Sequence, residues 1–162
     1  MTKIIDATTE AQIGEVRELV REYQRRLDVD LCFQGFEQEL AGLPGDYAPP
    51  SGHLLIALVD DLPAGCVALK SLPGNACELK RLYVRPGFQG SGLGRALVEK
   101  VIALAREAGH REMFLDTLPS MDAAQRLYSR LGFRDTEPYR LNPVAGSRFM
   151  ALRLGGREKT RA

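Results

Sequence analysis

Histidine and cysteine are scarce in this sequence, which has two histidines and three cysteines. Two histidines are too few for a usual zinc site, so we expect no bound metal. The cysteines, Cys32, Cys66 and Cys77, form no Cys-x-x-Cys pair, which favours reduced and mostly buried thiols. A nucleophilic cysteine needs a partner base, and nothing in the sequence ties His53 or His110 to a cysteine.

An excess of one charge is also lacking, since the formal net charge is +1 at pH 7 and the two signs are interspersed. The composition therefore gives no support for binding to nucleic acid or to a membrane. No apolar run reaches the ~20 residues of a membrane span, and the N-terminus lacks the apolar core of a signal peptide. We expect a cytoplasmic protein, and 162 residues suit one domain with a sizeable core.

The spacing of apolar and turn-forming residues predicts the strands and helices. Strands are expected over 3–7, 53–60, 64–72, 76–84, 112–118, 132–139 and 147–154. Helices are expected over 10–28, 34–42, 92–108 and 121–131. Thr9 and Gln12 fit a capping box at the start of the first helix. We assign residues 1–154 to a single domain and the polar residues 155–162 to a tail.

The order of these elements is typical of an α/β (α+β) protein. A strand, a helix and a strand follow one another over 76–118, and such a unit places its two strands in parallel. The other neighbouring strands are expected to be antiparallel. We therefore predict a mixed, mostly antiparallel central sheet of about seven strands, flanked by about four helices.

Three glycines, Gly90, Gly92 and Gly94, lie after a predicted strand and at the start of the strongest predicted helix. A helix start offers unpaired N–H groups, and glycine lets an anion approach the backbone closely. Two phosphate-binding loops do not fit, because Leu93-Gly94 replaces the Walker A Lys-Ser/Thr and Arg95 replaces the last Rossmann glycine. A loop that only turns the chain is the alternative to a phosphate site.

A third pattern, [Arg/Gln]-x-x-Gly-x-[Gly/Ala], is matched fully by QGSGLG over 89–94. Its surroundings read LKRLYVRPGFQGSGLGRALVEKVIALA, and AAQRLYSRLGF follows over 123–133. These segments resemble the corresponding blocks of the GNAT superfamily of N-acetyltransferases, most sharply over 77–133. The resemblance implies an enzyme that uses acetyl-CoA as co-substrate and binds its pyrophosphate at this loop.

The resemblance also implies which residues contact acetyl-CoA. The pantetheine arm would pair with the backbone of Leu82, Tyr83 and Val84. Gln89 would orient the loop. The pyrophosphate cradle would consist of Gly90, Ser91, Gly92, Leu93, Gly94 and Arg95.

The strand over 76–84 changes the phase of its apolar residues. Cys77 and Leu79 are apolar in one phase, and Leu82 and Val84 are apolar in the other. One extra residue near Lys80-Arg81, as in a β-bulge, would reconcile the two phases. A strand buried on both faces is the alternative.

Three side chains are candidates for catalysis by the same resemblance. Tyr128 corresponds to a tyrosine that faces the CoA sulfur and acts as general acid, and its alternative is an ordinary core position on a helix. Glu78 and Asp116 are alternative general bases, acting directly or through a water, unless they are only solvated or ion-paired. The sequence departs from the family at Met121, where an asparagine often contacts the CoA arm.

The acceptor is expected to bind between the first helices and residues 134–150. Tyr139, Arg140, Asn142 and Arg148 lie in that segment, where arginine can bind a substrate carboxylate, although an ordinary hairpin with solvated arginines also fits. The prediction is transfer of an acetyl group from acetyl-CoA to a primary amine. The alternative is a non-catalytic acyl-CoA-binding sensor or interaction module. A homodimer is compatible with the resemblance, because many single-domain members pair.

Overall fold

The computed structural model describes residues 1–27 and 35–155. The strands are β1 (Thr2–Asp6), β2 (His53–Val59), β3 (Leu62–Leu72), β4 (Ala76–Val84), β5 (Glu112–Thr117), β6 (Arg134–Asp135) and β7 (Arg148–Arg153). The helices are α1 (Glu10–Arg26), α2 (Phe36–Ala41), α3 (Leu93–Glu107) and α4 (Asp122–Arg130). Short 3₁₀ turns lie at Gly45–Tyr47 and Pro86–Phe88.

The strands form one mixed sheet in the order β1-β2-β3-β4-β5-β7-β6. Neighbouring strands are antiparallel except β4 and β5, which are parallel and are connected through α3. The predicted α/β class and the mostly antiparallel sheet are confirmed. Within residues 1–27 and 35–155, no helix is long and apolar enough to cross a membrane.

Two tight turns set the register of the hairpins β2–β3 and β3–β4. Asp60 and Asp61 have φ of 51° and 67°, and Gly74 and Asn75 have φ of 80° and 60°. Two successive left-handed residues are typical of hairpin turns, because their twist matches that of the flanking strands. The antiparallel meander that leads to β4 is thus fixed by local sequence.

The sheet separates two hydrophobic cores. The core on the side of α3 includes Leu97, Val101 and Tyr128, and the core on the side of α1 and α2 includes Val16 and Leu40. In α1 and in α3, apolar residues recur at the helical period and form a stripe. Each of these helices packs its stripe on one face of the sheet. The site described below lies where the sheet between these two cores is interrupted.

The interruption arises because β4 and β5 pair over a short length only. Ala76–Glu78 lie opposite Glu112–Phe114, whereas β4 continues to Val84 and β5 continues to Thr117. Beyond the paired residues the two strands part. The β4 backbone therefore has no strand partner on its β5 side over its second half.

The predicted β-bulge lies at the start of this unpaired half and is confirmed. Ala68 of β3 faces Lys80, but Cys66, two residues earlier, faces Tyr83. Arg81 supplies the extra residue and has a left-handed φ of 61°. A bulge increases local twist and bends its strand, which turns the end of β4 away from β5.

The last part of the sheet differs from the prediction. The strand expected over 132–139 is reduced to β6, and residues 136–147 run outside the sheet until β7 begins. Pro138 and Pro143 have no N–H to donate to a ladder, so this segment cannot continue as a regular strand. We refer to residues 136–147 as the strap, because they return across the parted end of β4 and β5.

The ends of the helices differ only slightly from the prediction. Thr9 and Gln12 form the expected capping box at α1. The strongest helix begins at Leu93 rather than at Gly92, because Gly92 is its N-cap and has a φ of 85°. Residues 28 and 34 of the first two predicted helices, and residues 156–162 of the predicted tail, lie outside the described residues.

Candidate functional site

The glycine-rich loop connects the end of β4 to the start of α3. Gly90 and Gly92 have φ of 82° and 85°, values that favour glycine because a side chain is strained there. Two side chains hold the loop in shape, since Gln89 Nε2 donates to the Val84 carbonyl at 2.9 Å and Ser91 Oγ donates to the Phe88 carbonyl at 2.6 Å. The contact of Gln89 with Val84 is of the kind that its predicted role in orienting the loop requires.

The start of α3 is open to an anion. No side chain caps this helix end, and a Cβ built on either Gly90 or Gly92 would meet nothing within 4 Å. The first backbone N–H groups of a helix are therefore available here, together with the positive end of the helix dipole. Arg95 does not add an unpaired charge, because its Nε donates to Glu99 Oε2 at 2.9 Å.

A groove of about 550 Å³ runs from this loop along the unpaired half of β4. Most of the residues predicted to contact acetyl-CoA line it: Leu82, Tyr83, Val84, Gln89, Gly90, Gly92, Leu93 and Gly94. Ser91 and Arg95, which were predicted with them, do not line it. The opposite wall comes from α1 and from the start of α4, with Tyr23, Arg26, Met121, Ala124 and Leu127 among its residues.

A second, small cavity of about 50 Å³ lies at the inner end of the groove, where β4 and β5 part. Tyr23, Leu82, Met121 and Ala124 line both spaces, so the two adjoin. The remaining lining residues are Leu79, Lys80, Arg81, Asp116, Thr117, Leu118, Tyr128 and Asn142. The candidate acid Tyr128 and the candidate base Asp116 therefore share one cavity.

Tyr128 projects from α4 into the core beside this cavity. It is 5% exposed, and its ring packs on Phe133 with centroids 5.6 Å apart. Burial, followed by the neighbouring Tyr23 and Asp116, raises the pKa of the Tyr128 phenol. The hydroxyl therefore stays protonated at neutral pH, as a proton donor must.

The candidate bases Glu78 and Asp116 are brought together by the strap. Glu78 Oε2 accepts from the Tyr139 hydroxyl at 2.7 Å and lies 2.9 Å from Arg140 Nη2. The same Arg140 nitrogen donates to Asp116 Oδ1 at 3.1 Å, and Asn142 Nδ2 donates to Asp116 Oδ2 at 3.0 Å. Burial opposes the charge of Arg140, but Glu78 and Asp116 raise its pKa, so the guanidinium is a fixed cation between two carboxylates.

Three of the four residues predicted for the acceptor segment thus reach the carboxylates, and the fourth does not. Arg148 lies at the start of β7, where its Nη2 is 2.9 Å from Asp135 Oδ1 and its Nη1 donates to Gln125 Oε1 at 3.2 Å. The strap is held elsewhere by packing, since the Tyr139 ring contacts Phe114 and Phe149 with centroids 5.1 and 5.6 Å apart.

Several polar groups near the cavity were missed in the sequence. Arg81 donates twice to Glu39 of α2, at 2.7 and 2.8 Å. Lys80, beside it, is 9% exposed, and burial, followed by Arg81, lowers the pKa of its ammonium to about 8. The sequence did contain a signal for Lys80. In the run Glu78-Leu79-Lys80 on β4, alternation places Lys80 on the same face of the sheet as the candidate base Glu78.

Met121 and Tyr23 form the border between groove and cavity. The Tyr23 hydroxyl lies 3.8 Å from Met121 Sδ, and burial raises the pKa of that hydroxyl to about 12. Met121 stands where the family resemblance led us to expect an asparagine. An apolar thioether therefore replaces an amide at the place where the groove narrows into the cavity.

The two cysteines that the structure describes line neither the groove nor the cavity. Cys66 and Cys77 are free and buried, and burial raises the pKa of each thiol to about 12. These two agree with the predicted buried thiols, whereas Cys32 lies outside the described residues. Over the described ranges 1–27 and 35–155, His, Cys, Asp and Glu form no group of three or more that could hold a metal ion.

Comparison with known proteins gives concordant matches. The sequence model of the acetyltransferase (GNAT) family matches residues 15–133. An uncharacterized N-acetyltransferase of Schizosaccharomyces pombe is 40% identical over 144 residues, which cover 88% of each chain. An acetyltransferase of the GNAT family from Staphylococcus aureus Mu50 superposes with a TM-score of 0.80 at 24% identity, covering 95% of this chain and 99% of that one. YncA of Salmonella typhimurium, solved with its cofactor acetyl-CoA, superposes with a TM-score of 0.68 at 23% identity over 94% of each chain.

Proposed function

Since this chain belongs to the acetyltransferase (GNAT) family, we propose that it transfers an acetyl group from acetyl-CoA to a primary amine by direct attack. One observation carries the proposal: an open groove leads from the α3 N-terminus to a small cavity that Tyr128 and Asp116 line together. We assign this activity to a single domain formed by residues 1–154.

The donor would bind along β4. Its pyrophosphate would accept hydrogen bonds from the backbone of Gly90, Gly92 and the first turn of α3, where no side chain competes. Its pantetheine amides would pair with the backbone of Leu82–Val84, the part of β4 that β5 leaves unpaired. The acetyl thioester would then enter the small cavity. The complex of YncA with acetyl-CoA supports this choice of donor.

The reaction would need proton transfer at two atoms. The amine nitrogen attacks the thioester carbonyl carbon, its proton passes to a carboxylate, and the carbon–sulfur bond breaks. The departing thiolate takes a proton from the Tyr128 hydroxyl. Of the two carboxylates, Asp116 is better placed as the base because it lines the cavity, which Glu78 does not. Holding donor and acceptor side by side would contribute much of the acceleration.

A non-catalytic acyl-CoA-binding module is the second candidate function. The observation that favours it is Arg140, which contacts both carboxylates and competes with an incoming amine. In an enzyme, the strap that carries Arg140 would have to shift or to share the carboxylates with the acceptor. In a sensor it would stay in place.

Release of free thiol from acetyl-CoA distinguishes the two functions. The assay is run over amino acids, polyamines, aminoglycosides and lysine peptides, and donor binding is measured separately by calorimetry. An acetyltransferase releases thiol with at least one class of amine, and Tyr128→Phe lowers kcat while acetyl-CoA binding is kept. Tight binding of acetyl-CoA without thiol release from any amine would establish the sensor instead.

A further inference from the structure

Lys80 is a buried cation in the cavity that the proposed reaction does not use. It lies on β4 next to Leu79, which belongs to the core under α3, so alternation directs Lys80 to the opposite face together with Glu78. Only 9% of the residue is exposed. Burial and the adjacent Arg81 lower the pKa of its ammonium to about 8, which keeps most of it protonated at neutral pH.

The other charges around Lys80 are paired with one another. Arg81 binds Glu39 through two hydrogen bonds at 2.7 and 2.8 Å, and Arg140 lies 2.9 Å from Glu78. Within the two described ranges, Lys80 has no ion pair and no hydrogen bond of its own. Glu78 and Glu39 act on it only from beyond ion-pair distance. The described residues therefore leave the N–H groups of the ammonium without acceptors, and such a buried group is costly.

Thr117 gives a second, independent sign of a missing ligand. It is 4% exposed, it lines the same cavity, and its Oγ1 is buried without a hydrogen-bond partner. Buried hydroxyls are nearly always paired. One cavity is thus lined by an ammonium without a direct ion-pair or hydrogen-bond partner among the described residues, by a hydroxyl without a partner, and by the carboxylate of Asp116.

We propose that the acceptor amine carries a carboxylate close to its amino group, as an amino acid does, and that Lys80 binds this carboxylate while Asp116 faces the amine. This inference rests on the proposed acetyl transfer and adds the class of the acceptor. The ligand's carboxylate then pairs with the ammonium of Lys80, and its amine lies beside the carboxylate of Asp116. The Thr117 hydroxyl forms a hydrogen bond with one of these two ligand groups. Neither an aminoglycoside nor a peptide N-terminus offers a carboxylate next to its amine.

The test compares each amino acid with its own carboxamide, which keeps the amine but removes the negative charge. Thiol release is measured for both at several concentrations. We expect kcat/KM to be at least ~10-fold higher for the acid, since a site built to pair a polar group rejects the analogue that lacks it. Equal values for the acid and the carboxamide would overturn the inference.

Variants at Lys80 show whether this residue causes the preference. Lys80→Gln is expected to raise KM for the amino acid ~10-fold and to abolish the preference over the carboxamide, while Lys80→Arg retains part of it. Lys70→Gln is the matched control, because Lys70 lies on β3 near Asp46 and is far more exposed. Acetyl-CoA affinity, measured by calorimetry, is expected to be the same in all three variants.

The outcomes separate this inference from the proposed function. Thiol release with carboxylate-free amines alone leaves the acetyltransferase standing and removes the amino-acid acceptor. A Lys80→Gln variant that slows every amine equally assigns Lys80 a structural role and overturns the inference. No release with any amine overturns the proposed function, and the inference falls with it.

Discussion

The Nη2 atom of Arg140 lies 3.1 Å from Oδ1 of Asp116, although the two residues are separated by a helix and by β6. The same nitrogen lies 2.9 Å from Oε2 of Glu78. One guanidinium therefore joins Glu78, the last residue of β4 that pairs with β5, to Asp116 near the end of β5. The proposed base, Asp116, therefore lies against this cation.

Removing the charge of Asp116 tests the assignment of the base. Asp116→Asn keeps the size of the side chain, and we expect kcat to fall ~10²-fold because proton transfer is lost. Acetyl-CoA affinity should not change, since Asp116 does not line the groove. Glu78→Gln is the matched comparison, with an expected loss of less than ~10-fold. A greater loss in Glu78→Gln than in Asp116→Asn would show that Glu78 is the base.

Removing the hydroxyl of Tyr128 tests the assignment of the acid. Tyr128→Phe should lower kcat ~10²-fold, with an unchanged melting temperature because the ring still packs on Phe133. Burial raises the pKa of this phenol. As pH rises, deprotonation of Tyr128 should therefore not lower the wild-type kcat below the ordinary tyrosine pKa of ~10. Turnover that is equal in both proteins would remove Tyr128 from the mechanism.

The two left-handed glycines of the loop can be tested against a third glycine that is not left-handed. Gly92→Ala forces a side chain into a φ of 85°, which costs ~1–2 kcal/mol and distorts the loop. We expect acetyl-CoA affinity to fall about tenfold, as measured by calorimetry. Gly87→Ala is the control, because its φ is not positive and its Cβ would meet nothing within 4 Å. Equal affinities in the two variants would separate the loop from donor binding.

Gly65 allows β3 to approach the end of β4. A Cβ on Gly65 would lie 2.6 Å from the Tyr83 carbonyl oxygen, and backbone cannot yield as a flexible side chain can. Gly65→Ala should lower the free energy of unfolding by ~1–3 kcal/mol, by the overpacking argument. Gly14→Ala in α1 is the control, since a Cβ there has open space and should stabilise the helix by up to ~1 kcal/mol. Urea unfolding measures both.

Glu39 links stability to pH. Burial opposes its charge, but the hydrogen bonds from Arg81 hold its pKa below the usual value of 4.5. A lowered pKa in the folded protein means that the unfolded chain binds the proton first, so this stabilisation is lost as pH falls below about 4.5. Glu39→Gln should cost ~3 kcal/mol at pH 7, because it removes the carboxylate that accepts two hydrogen bonds from the buried Arg81. It should also flatten the decline of the unfolding free energy with acid.

Glu37→Gln is the control for that pH dependence. Glu37 lies on the same helix, but its side chain is 69% exposed. Its Oε1 lies 3.5 Å from Arg21 Nη1, so the two form an exposed ion pair. Exposed pairs contribute little to stability. An acid decline that Glu39→Gln leaves unaltered would show that other carboxylates dominate it.

The sequence was sufficient for those features that local spacing determines. The bulge at Arg81 follows from a change of apolar phase along nine residues of β4, and the open start of α3 follows from Gly90 and Gly92. Periodicity and turn chemistry act between near neighbours, so a short window contains them. The element order then predicted that β4 and β5 are parallel, because a helix connects them.

The contents of the cavity could not be predicted in the same way. The contact of Tyr139 with Glu78 spans 61 residues, and it depends on the path of the strap after β6 ends early. The prolines explain why the strand stops, but they do not determine where the chain goes next. Lys80 has no direct ion-pair partner among the described residues because the neighbouring charges pair with one another. Residue spacing in the sequence does not reveal that pairing.

The short pairing of β4 with β5 has a mechanical consequence. The sheet consists of two panels, β1–β4 and β5-β7-β6, and only three residues of β4 lie in register with β5. A pantetheine chain that is hydrogen-bonded to the free edge of β4 and packed against α4 would connect the two panels beyond the three paired residues. Donor binding would then rigidify the whole sheet, and the interior amides of β5 would be the ones whose exchange with solvent slows most.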